Sequence, residues 1–183
     1  VWMNFPRAGA VNFAAMWQLS SARRAWVRLA ETINQHVPVT LLVDPDDQRT
    51  VTSYVSSDLD VVVIPFNNAS LRRTAATPVV SRLPQTSRGR RPRRVPGIVD
   101  FTFNGFGQLP GVAYGLDDTL PGTLSELLPA SQSWGHRNLS IMVAEGGSWV
   151  TDGNGTAIAT EALLTDQRRN PGWTTQGVER ELY

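Results

Sequence analysis

Cysteine and lysine are both absent from this chain of 183 residues. Without cysteine, these residues can supply no disulfide, no thiolate metal ligand and no cysteine nucleophile. The two histidines, His36 and His136, lie far apart in the sequence, which argues against a histidine-rich metal site. We therefore expect no metal and no other cofactor.

Long apolar runs are absent as well. No stretch approaches the roughly 20 residues that a membrane helix requires, and the first residues lack the basic-then-apolar order of a secretory signal. A hydrophobic content of 41% with six tryptophans is enough for a substantial core. The composition predicts one globular domain in the cytoplasm, with no membrane contact.

Negative charge is missing from one part of the chain. Between Asp60 and Asp100 there is no acidic residue, yet eight of the seventeen arginines fall there. The other residues hold nine arginines and all sixteen acids. The net charge of +1 therefore conceals a basic segment inside an otherwise acidic chain.

The first 66 residues predict alternating strands and helices. The stretch "VWMNFP" indicates a short strand ended by Pro6, and the apolar runs "VTLLVD" and "LDVVVIP" are typical of strands buried on both faces. A helix capped by Ser20 or Ser21 would turn one apolar face inward, formed by Ala22, Trp26, Leu29, Ala30 and Ile33. This order predicts an α/β fold with a mixed sheet.

The remaining residues fall into two parts. Residues 67–97 are rich in Arg, Pro, Ser and Thr and show little periodicity, so we expect a basic irregular loop or arm. Residues 98–183 resume with "GIVDFTFNGFG", a helix around "TLSELL", a strand at "NLSIMVAEGG" and a final helix capped by Thr174 or Thr175. The single domain is thus divided into residues 1–66, the loop at 67–97 and residues 98–183.

The stretch "EGGSWVTDGNGTAIATEALL" begins with an acid that local folding does not require. The "DGNG" turn and the alternating flanks "SWV" and "TAIAT" predict a hairpin. Glu145 has no part in that hairpin. An acid followed by two glycines is typical of a group that meets a cation, although Glu145 could also cap a turn or pair with an arginine.

These stretches together carry a resemblance to a known family. From "VWMNFP" through "VTLLVD", at "FTFNGFG", and in the run from Glu145 to "RRNPGW", the chain resembles the agmatine deiminase and bacterial peptidylarginine deiminase family of the guanidine-modifying pentein superfamily. The resemblance implies a pseudo-fivefold α/β propeller of ββαβ modules around a central site. Family members are about twice this length, so the chain matches the N-terminal half and a partial propeller.

The resemblance implies hydrolysis of a guanidine group. In the family, a cysteine attacks the guanidinium carbon, a histidine acts as acid and base, and ammonia leaves. Agmatine would give N-carbamoylputrescine, and arginine would give citrulline. Carboxylates hold the planar cation because they match its charge and its fork of N–H donors. The family's cysteine and histidine follow the part that this chain matches.

The resemblance also assigns substrate-binding residues. Glu145 takes the position of a substrate-side carboxylate. Trp2 and Phe5 take the N-terminal aromatic positions, as a wall of the pocket. Asn104 and Phe106 fall in the family's Phe-Asn-Gly-aromatic-Gly turn. The expected partner is a small guanidine or an arginine substrate.

One family element is altered in this chain. The Asn-Asp-x-Trp-x-Arg-Asp element aligns with "NNASLRR", where Asn68 and Arg73 replace the two acids and Ser70 replaces the tryptophan. Asparagine lacks the required charge, and Arg73 would repel a cationic substrate. We therefore expect no complete catalytic set and a partial or inactive copy. A divergent insertion or a shifted reading frame over residues 69–97 would each explain the substitutions.

Three alternatives stay open. The arginines of residues 72–94 could bind a polyanion, although few aromatic residues lie between them, which argues against nucleic acid. The chain could be a non-catalytic half-propeller that keeps only the fold. It could also form a homo-oligomer or assemble with the missing C-terminal half.

Overall fold

The structure is a computed structural model that describes residues 1–8, 16–56, 58–67, 79–85, 93–127, 137–152 and 156–182. Its helices are α1 (Met16–Asn34), α2 (Gln48–Val51), α3 (Gly105–Gln108), α4 (Gly115–Asp118), α5 (Leu120–Leu127), α6 (Glu161–Leu164) and α7 (Thr175–Leu182). Its strands are β1 (Trp2–Asn4), β2 (Thr40–Val43), β3 (Asp60–Val63), β4 (Val79–Gln85), β5 (Arg93–Thr102), β6 (Arg137–Val143), β7 (Trp149–Thr151) and β8 (Ala157–Ala159). Short 3-10 helices span Pro45–Asp47 and Gly146–Ser148.

The first sheet is parallel, in the order β1-β2-β3, and is covered on both faces. On one face, Val27 and Ala30 of α1 join Leu41 and Val43 in a buried cluster. On the other face, α5 supplies Leu120 and Leu124 to a cluster with Leu42, Ile64 and Phe66. Strand β2 lies between the two clusters, with three of its four residues buried, which explains its continuous apolar run and confirms the prediction of a buried strand there. The strand predicted at β3 is present, but Asp60 and Val63 are exposed and Val61 and Val62 are only half-buried, so the prediction of burial on both faces is wrong for β3.

Helix α1 differs from its prediction at its start and on its buried face. It begins at Met16, so Ser20 and Ser21 lie inside the helix and the predicted cap is wrong. Ala30 is buried as expected, whereas Leu29 is 45% exposed. Val27 takes the buried position instead, because the helix turns a slightly different face toward the sheet than its apolar spacing indicates.

The second sheet has the order β4-β5-β6 and is mixed. Strand β4 pairs antiparallel with β5, and β5 pairs parallel with β6. The prediction of an irregular loop over residues 67–97 is therefore wrong for Val79–Gln85 and for residues 93–97, which are strand. Residues 68–78 and 86–92 lie outside the described part of the chain.

The C-terminal part matches its predicted elements. Strands β7 and β8 pair antiparallel, with Val150 opposite Ile158, which confirms the predicted hairpin strands. Helix α7 begins at Thr175, and the Oγ1 atom of Thr174 accepts a 3.2 Å hydrogen bond from the Gly177 amide, which confirms the predicted cap. Within the described residues, no helix combines the length and apolar character needed to cross a bilayer.

Candidate functional site

The carboxyl ends of β5 and β6 meet at one edge of the second sheet. The two strands are parallel, and the Ala144 amide continues their pairing with a 3.2 Å hydrogen bond to the Thr102 carbonyl. Asn104 follows β5 and Glu145 follows β6, so both predicted site residues lie at this edge. In α/β proteins, ligands bind outside the carboxyl ends of parallel strands.

Glu145 forms a two-point ion pair with Arg169. The Arg169 Nε atom donates to Glu145 Oε1 at 2.8 Å, and Nη2 donates to Oε2 at 3.4 Å. The two side chains are 9% and 13% exposed. The carboxylate is therefore buried and already binds a guanidinium group from its own chain. This contact is the arginine pairing that the sequence left open as an alternative.

The Asp166 carboxylate contacts both Arg168 and Arg169. Its Oδ2 atom lies 3.2 Å from Arg168 Nη2 and 3.7 Å from Arg169 Nη1. The hydrogen bond from the Arg168 side chain is the largest of the effects that lower the pKa of Asp166 below its usual value. Asp166 is therefore charged at neutral pH and contributes negative charge beside Arg169.

Asn170 fixes the loop that carries Arg169 to the end of β6. Its Oδ1 atom accepts from the Val143 amide at 2.8 Å, and its Nδ2 atom donates to the Val143 and Leu164 carbonyls at 2.9 and 3.0 Å. Asn170 is 1% exposed, and its two hydrogen bonds to Val143 are buried. The loop is thereby held to the strand that precedes Glu145.

The turn at Asn104–Gln108 faces the same loop. The Asn104 Oδ1 atom accepts from the Gly107 amide at 2.9 Å, which caps α3, and Nδ2 donates to the Arg168 carbonyl at 2.8 Å. A Cβ atom at Gly107 would lie 3.1 Å from Arg169 Nη1. Glycine at this position lets the Arg169 side chain approach the turn.

Phe106 lies within the same turn. Its backbone is left-handed, with φ of 62°, and its ring packs edge-on against Phe103 at 5.1 Å between centroids. A Cβ atom at Gly105 would lie only 2.6 Å from the Tyr114 ring. Asn104 is therefore linked through the Arg168 carbonyl to the loop that carries Arg169, whereas Phe106 packs against Phe103. Direct contact of either residue with a substrate stays a prediction.

Helix α4 connects this turn to the first sheet. The Asp118 Oδ1 atom accepts from the Phe103 amide at 2.6 Å, and Asp117 Oδ1 accepts from the Asn67 amide at 2.6 Å. The Asn67 side chain accepts in turn from the Leu116 amide at 2.9 Å. The end of β5 and the segment after β3 are thus joined at one short helix.

The two N-terminal aromatic residues have different environments. Phe5 is fully buried in the first sheet's core, 5.6 Å from the Tyr54 ring and 4.8 Å below the Arg23 guanidinium. It is therefore a core residue rather than the wall of an open pocket, and that prediction is wrong. Trp2 is half-buried and packs against the cluster that contains Leu42 and Phe66. Its role as a pocket wall stays a prediction.

Some predicted residues lie outside the described part of the chain, and other residues were missed. Asn68 and Arg73 belong to the first group. The sequence did not single out Arg169, Asp166 or Asn170, although "RRNPGW" was part of the family pattern. A buried acid close to a buried arginine is a contact between distant residues, so spacing along the chain gives no signal for it.

A surface groove of about 450 Å³ lies elsewhere, between α1 and the residues after α2. It is lined by Arg24, Val27, Arg28, Glu31, Ser53 and Tyr54. None of the predicted site residues borders it. The edge at Glu145 is therefore the better candidate site, because it alone brings two predicted site residues together within the described ranges.

Comparison with known proteins finds a match over the whole chain. The family model of the Porphyromonas-type peptidyl-arginine deiminases matches residues 1–183. The chain is 29% identical over 182 residues to a putative agmatine deiminase of Streptomyces coelicolor, covering 100% of this chain and 49% of that protein. It is 30% identical over 165 residues to a putative agmatine deiminase of Legionella pneumophila strain Paris, covering 90% of this chain and 43% of that protein.

Solved structures show the same fold. The agmatine deiminase of Enterococcus faecalis superposes with a TM-score of 0.74 at 22% identity, covering 99% of this chain and 46% of that one. A second structure, of a putative agmatine deiminase, gives a TM-score of 0.73 at 25% identity and covers 47% of that chain. The chain spans about half the length of the curated relatives that it matches.

Proposed function

The chain belongs to the Porphyromonas-type peptidyl-arginine deiminase family, and on that premise we propose that it forms the N-terminal, guanidinium-binding half of a guanidine hydrolase. The substrate would be agmatine, or arginine within a peptide. The fold shared with agmatine deiminases supports the proposal, as do relatives named as putative agmatine deiminases. A partial pseudo-fivefold propeller is the architecture that we propose for this half.

The observation that carries the proposal is the buried carboxylate of Glu145. It binds a guanidinium group through both of its oxygens, at 2.8 and 3.4 Å, in a site that is closed to most solvent. A substrate guanidinium has the same planar fork of donors as Arg169. The edge where β5 and β6 end therefore has the chemistry that a guanidine substrate needs.

The chemical step needs groups that these residues do not contain. Attack on the guanidinium carbon requires a cysteine thiolate, and no cysteine is present in the sequence. We infer that the nucleophile and the acid–base histidine come from residues of a partner segment equivalent to the rest of the relatives. In this arrangement, the half described here orients the cation and the other half performs the displacement of ammonia.

Agmatine binding tests the proposal directly. We expect isothermal titration to show that this chain binds agmatine, and to show little heat with putrescine, which has the same amine but no guanidine. Glu145→Gln should weaken agmatine binding by about tenfold or more, because it removes the buried charge. Glu126→Gln is the matched control, because Glu126 is an exposed acid on α5.

Two results would contradict the proposal. One is the absence of agmatine binding by a chain that is folded by circular dichroism. The other is an equal effect of the two substitutions, which would show that Glu145 has no special part in binding. A ureido product assay on the chain together with its cysteine-bearing half then tests the reaction itself, and the chain alone should give no product.

A further inference from the structure

The guanidinium group of Arg169 lies close to two carboxylates and to the turn after β5. Nε and Nη2 donate to the Glu145 carboxylate. Nη1 lies 3.7 Å from Asp166 Oδ2, and it would lie 3.1 Å from a Cβ atom at Gly107. Glu145, Asp166 and the turn after β5 thus enclose one arginine side chain, which is only 13% exposed.

The backbone at Arg169 is also held by hydrogen bonds. The Arg169 amide donates to the Asp166 carbonyl at 3.0 Å, and the Asn170 amide donates to the same carbonyl at 2.8 Å. The buried Asn170 side chain ties this turn to Val143 at the end of β6. The base of the arginine is therefore fixed to the strand that leads to Glu145.

The two hydrogen bonds from Arg169 restrict the orientation of the Glu145 carboxylate. A carboxylate bound at both oxygens by a guanidinium fork has little freedom to rotate. A buried carboxylate that loses its cation is left with an uncompensated charge, so it would rotate or recruit water. The orientation of the Glu145 carboxylate therefore depends on Arg169.

We propose that Arg169 is a positioning residue, which sets the orientation of the Glu145 carboxylate for a substrate guanidinium without contacting the substrate. This inference rests on the proposed function of Glu145. Gly107 and Asp166 complete the arrangement, because one leaves room for the guanidinium and the other balances its charge.

The same contacts argue against the opposite role, in which Arg169 occupies the site and a substrate displaces it. Displacement would separate Arg169 from Asp166 as well as from Glu145. It would also move a side chain whose backbone is anchored through Asn170. A group held from several sides is built to stay in place during binding.

Substitutions at two adjacent arginines test the inference by agmatine titration and thermal unfolding. Arg169→Gln should raise the Kd for agmatine by about tenfold or more, because Glu145 loses the fork that orients it. Arg169→Lys keeps the positive charge, so the unfolding temperature of this variant should be near the wild-type value. Its Kd should stay raised by about fivefold, because one ammonium cannot hold both oxygens.

Arg168→Gln is the matched control. It removes the same charge one residue away, from a side chain that is 64% exposed and contacts Asp166 rather than Glu145. We expect its Kd for agmatine to change by less than about twofold.

The outcomes separate this inference from the proposed function. Wild-type binding that Arg169→Gln leaves unchanged or tightens overturns the positioning role, and leaves the guanidinium-binding role of Glu145 intact. Recovery of both affinity and unfolding temperature in Arg169→Lys also overturns it, because Arg169 would then act through stability alone. Absence of binding in the wild-type chain instead overturns the proposed function, and the inference with it.

Discussion

Gly107 combines a left-handed backbone with a close approach by the Arg169 side chain. The φ angle is +79°, which L side chains rarely adopt, and the space that a Cβ would fill is bordered by Arg169. Gly111 has almost the same angle, +78°, but no atom within 4 Å of its ideal Cβ. Both glycines therefore adopt a backbone conformation that disfavours other residues. Only at Gly107 would a side chain also collide with a neighbour.

This difference predicts unequal costs for the same substitution. Gly107→Ala and Gly111→Ala should both destabilise the chain by about 1 kcal/mol through backbone strain. Gly107→Ala should cost roughly 1 kcal/mol more, because its methyl group pushes Arg169 away from Glu145. Urea unfolding of the two variants gives the comparison, and equal midpoints would show that the approach of Arg169 does not depend on glycine.

Among the elements, α4 has an effect beyond its four residues. It is too short to be stable alone, yet Asp117 accepts from the Asn67 amide and Asp118 accepts from the Phe103 amide. These hydrogen bonds join the residue that follows β5 to the segment that follows β3. The element that positions the turn after β5 therefore comes from residues that follow that turn in the sequence.

Removal of the Asp118 acceptor should loosen the end of β5. We expect Asp118→Ala to cost about 1–3 kcal/mol, since the Phe103 amide loses its partner in a buried setting. Hydrogen exchange at Phe103 should accelerate, whereas exchange at Leu41 in the first sheet should follow only the change in global stability. Glu126→Ala on α5 should leave Phe103 exchange unchanged; a similar acceleration there would show that the effect is not local.

Predictability differed between elements for identifiable reasons. Strand β2 was predictable because both of its faces are buried, which leaves a continuous apolar run. Strand β3 was found from a similar apolar run, although Asp60 and Val63 are exposed. Strand β4 was missed because it lies at a sheet edge, where Pro84 is tolerated and apolar alternation is not required. The start of α1 was misplaced because Ser20 and Ser21 mimic a cap signal while lying inside the helix.

At the scale of the whole molecule, several large apolar side chains are exposed on β6 and on the hairpin strands β7 and β8. Ile141 on β6 is 80% exposed, and Val150 and Ile158, which face each other across β7 and β8, are 64% and 69% exposed. Apolar pairs of this kind are typical of surfaces that another part of a protein covers. The chain also covers only 49% of its Streptomyces coelicolor relative.

These facts predict a larger native protein. We expect mass spectrometry of the protein purified from its source to give roughly twice the 20.1 kDa of this chain, with the added residues carrying a cysteine and a histidine. A native mass of 20.1 kDa would contradict this expectation, and would leave the complete site dependent on a separate polypeptide. Sedimentation of the same sample distinguishes one long chain from an assembly of two.

The sequence by itself determined the local features of this protein. Apolar runs predicted strands β2 and β3, "DGNG" and its flanks predicted the hairpin strands, and the acid before two glycines marked Glu145, because each depends only on neighbours in the chain. Tertiary structure decided what Glu145 meets. Its partner Arg169 lies 24 residues after it in the sequence, and Arg169 approaches Gly107, which lies 62 residues before Arg169. Contacts at such separations follow from how parallel strands align their ends rather than from any local pattern.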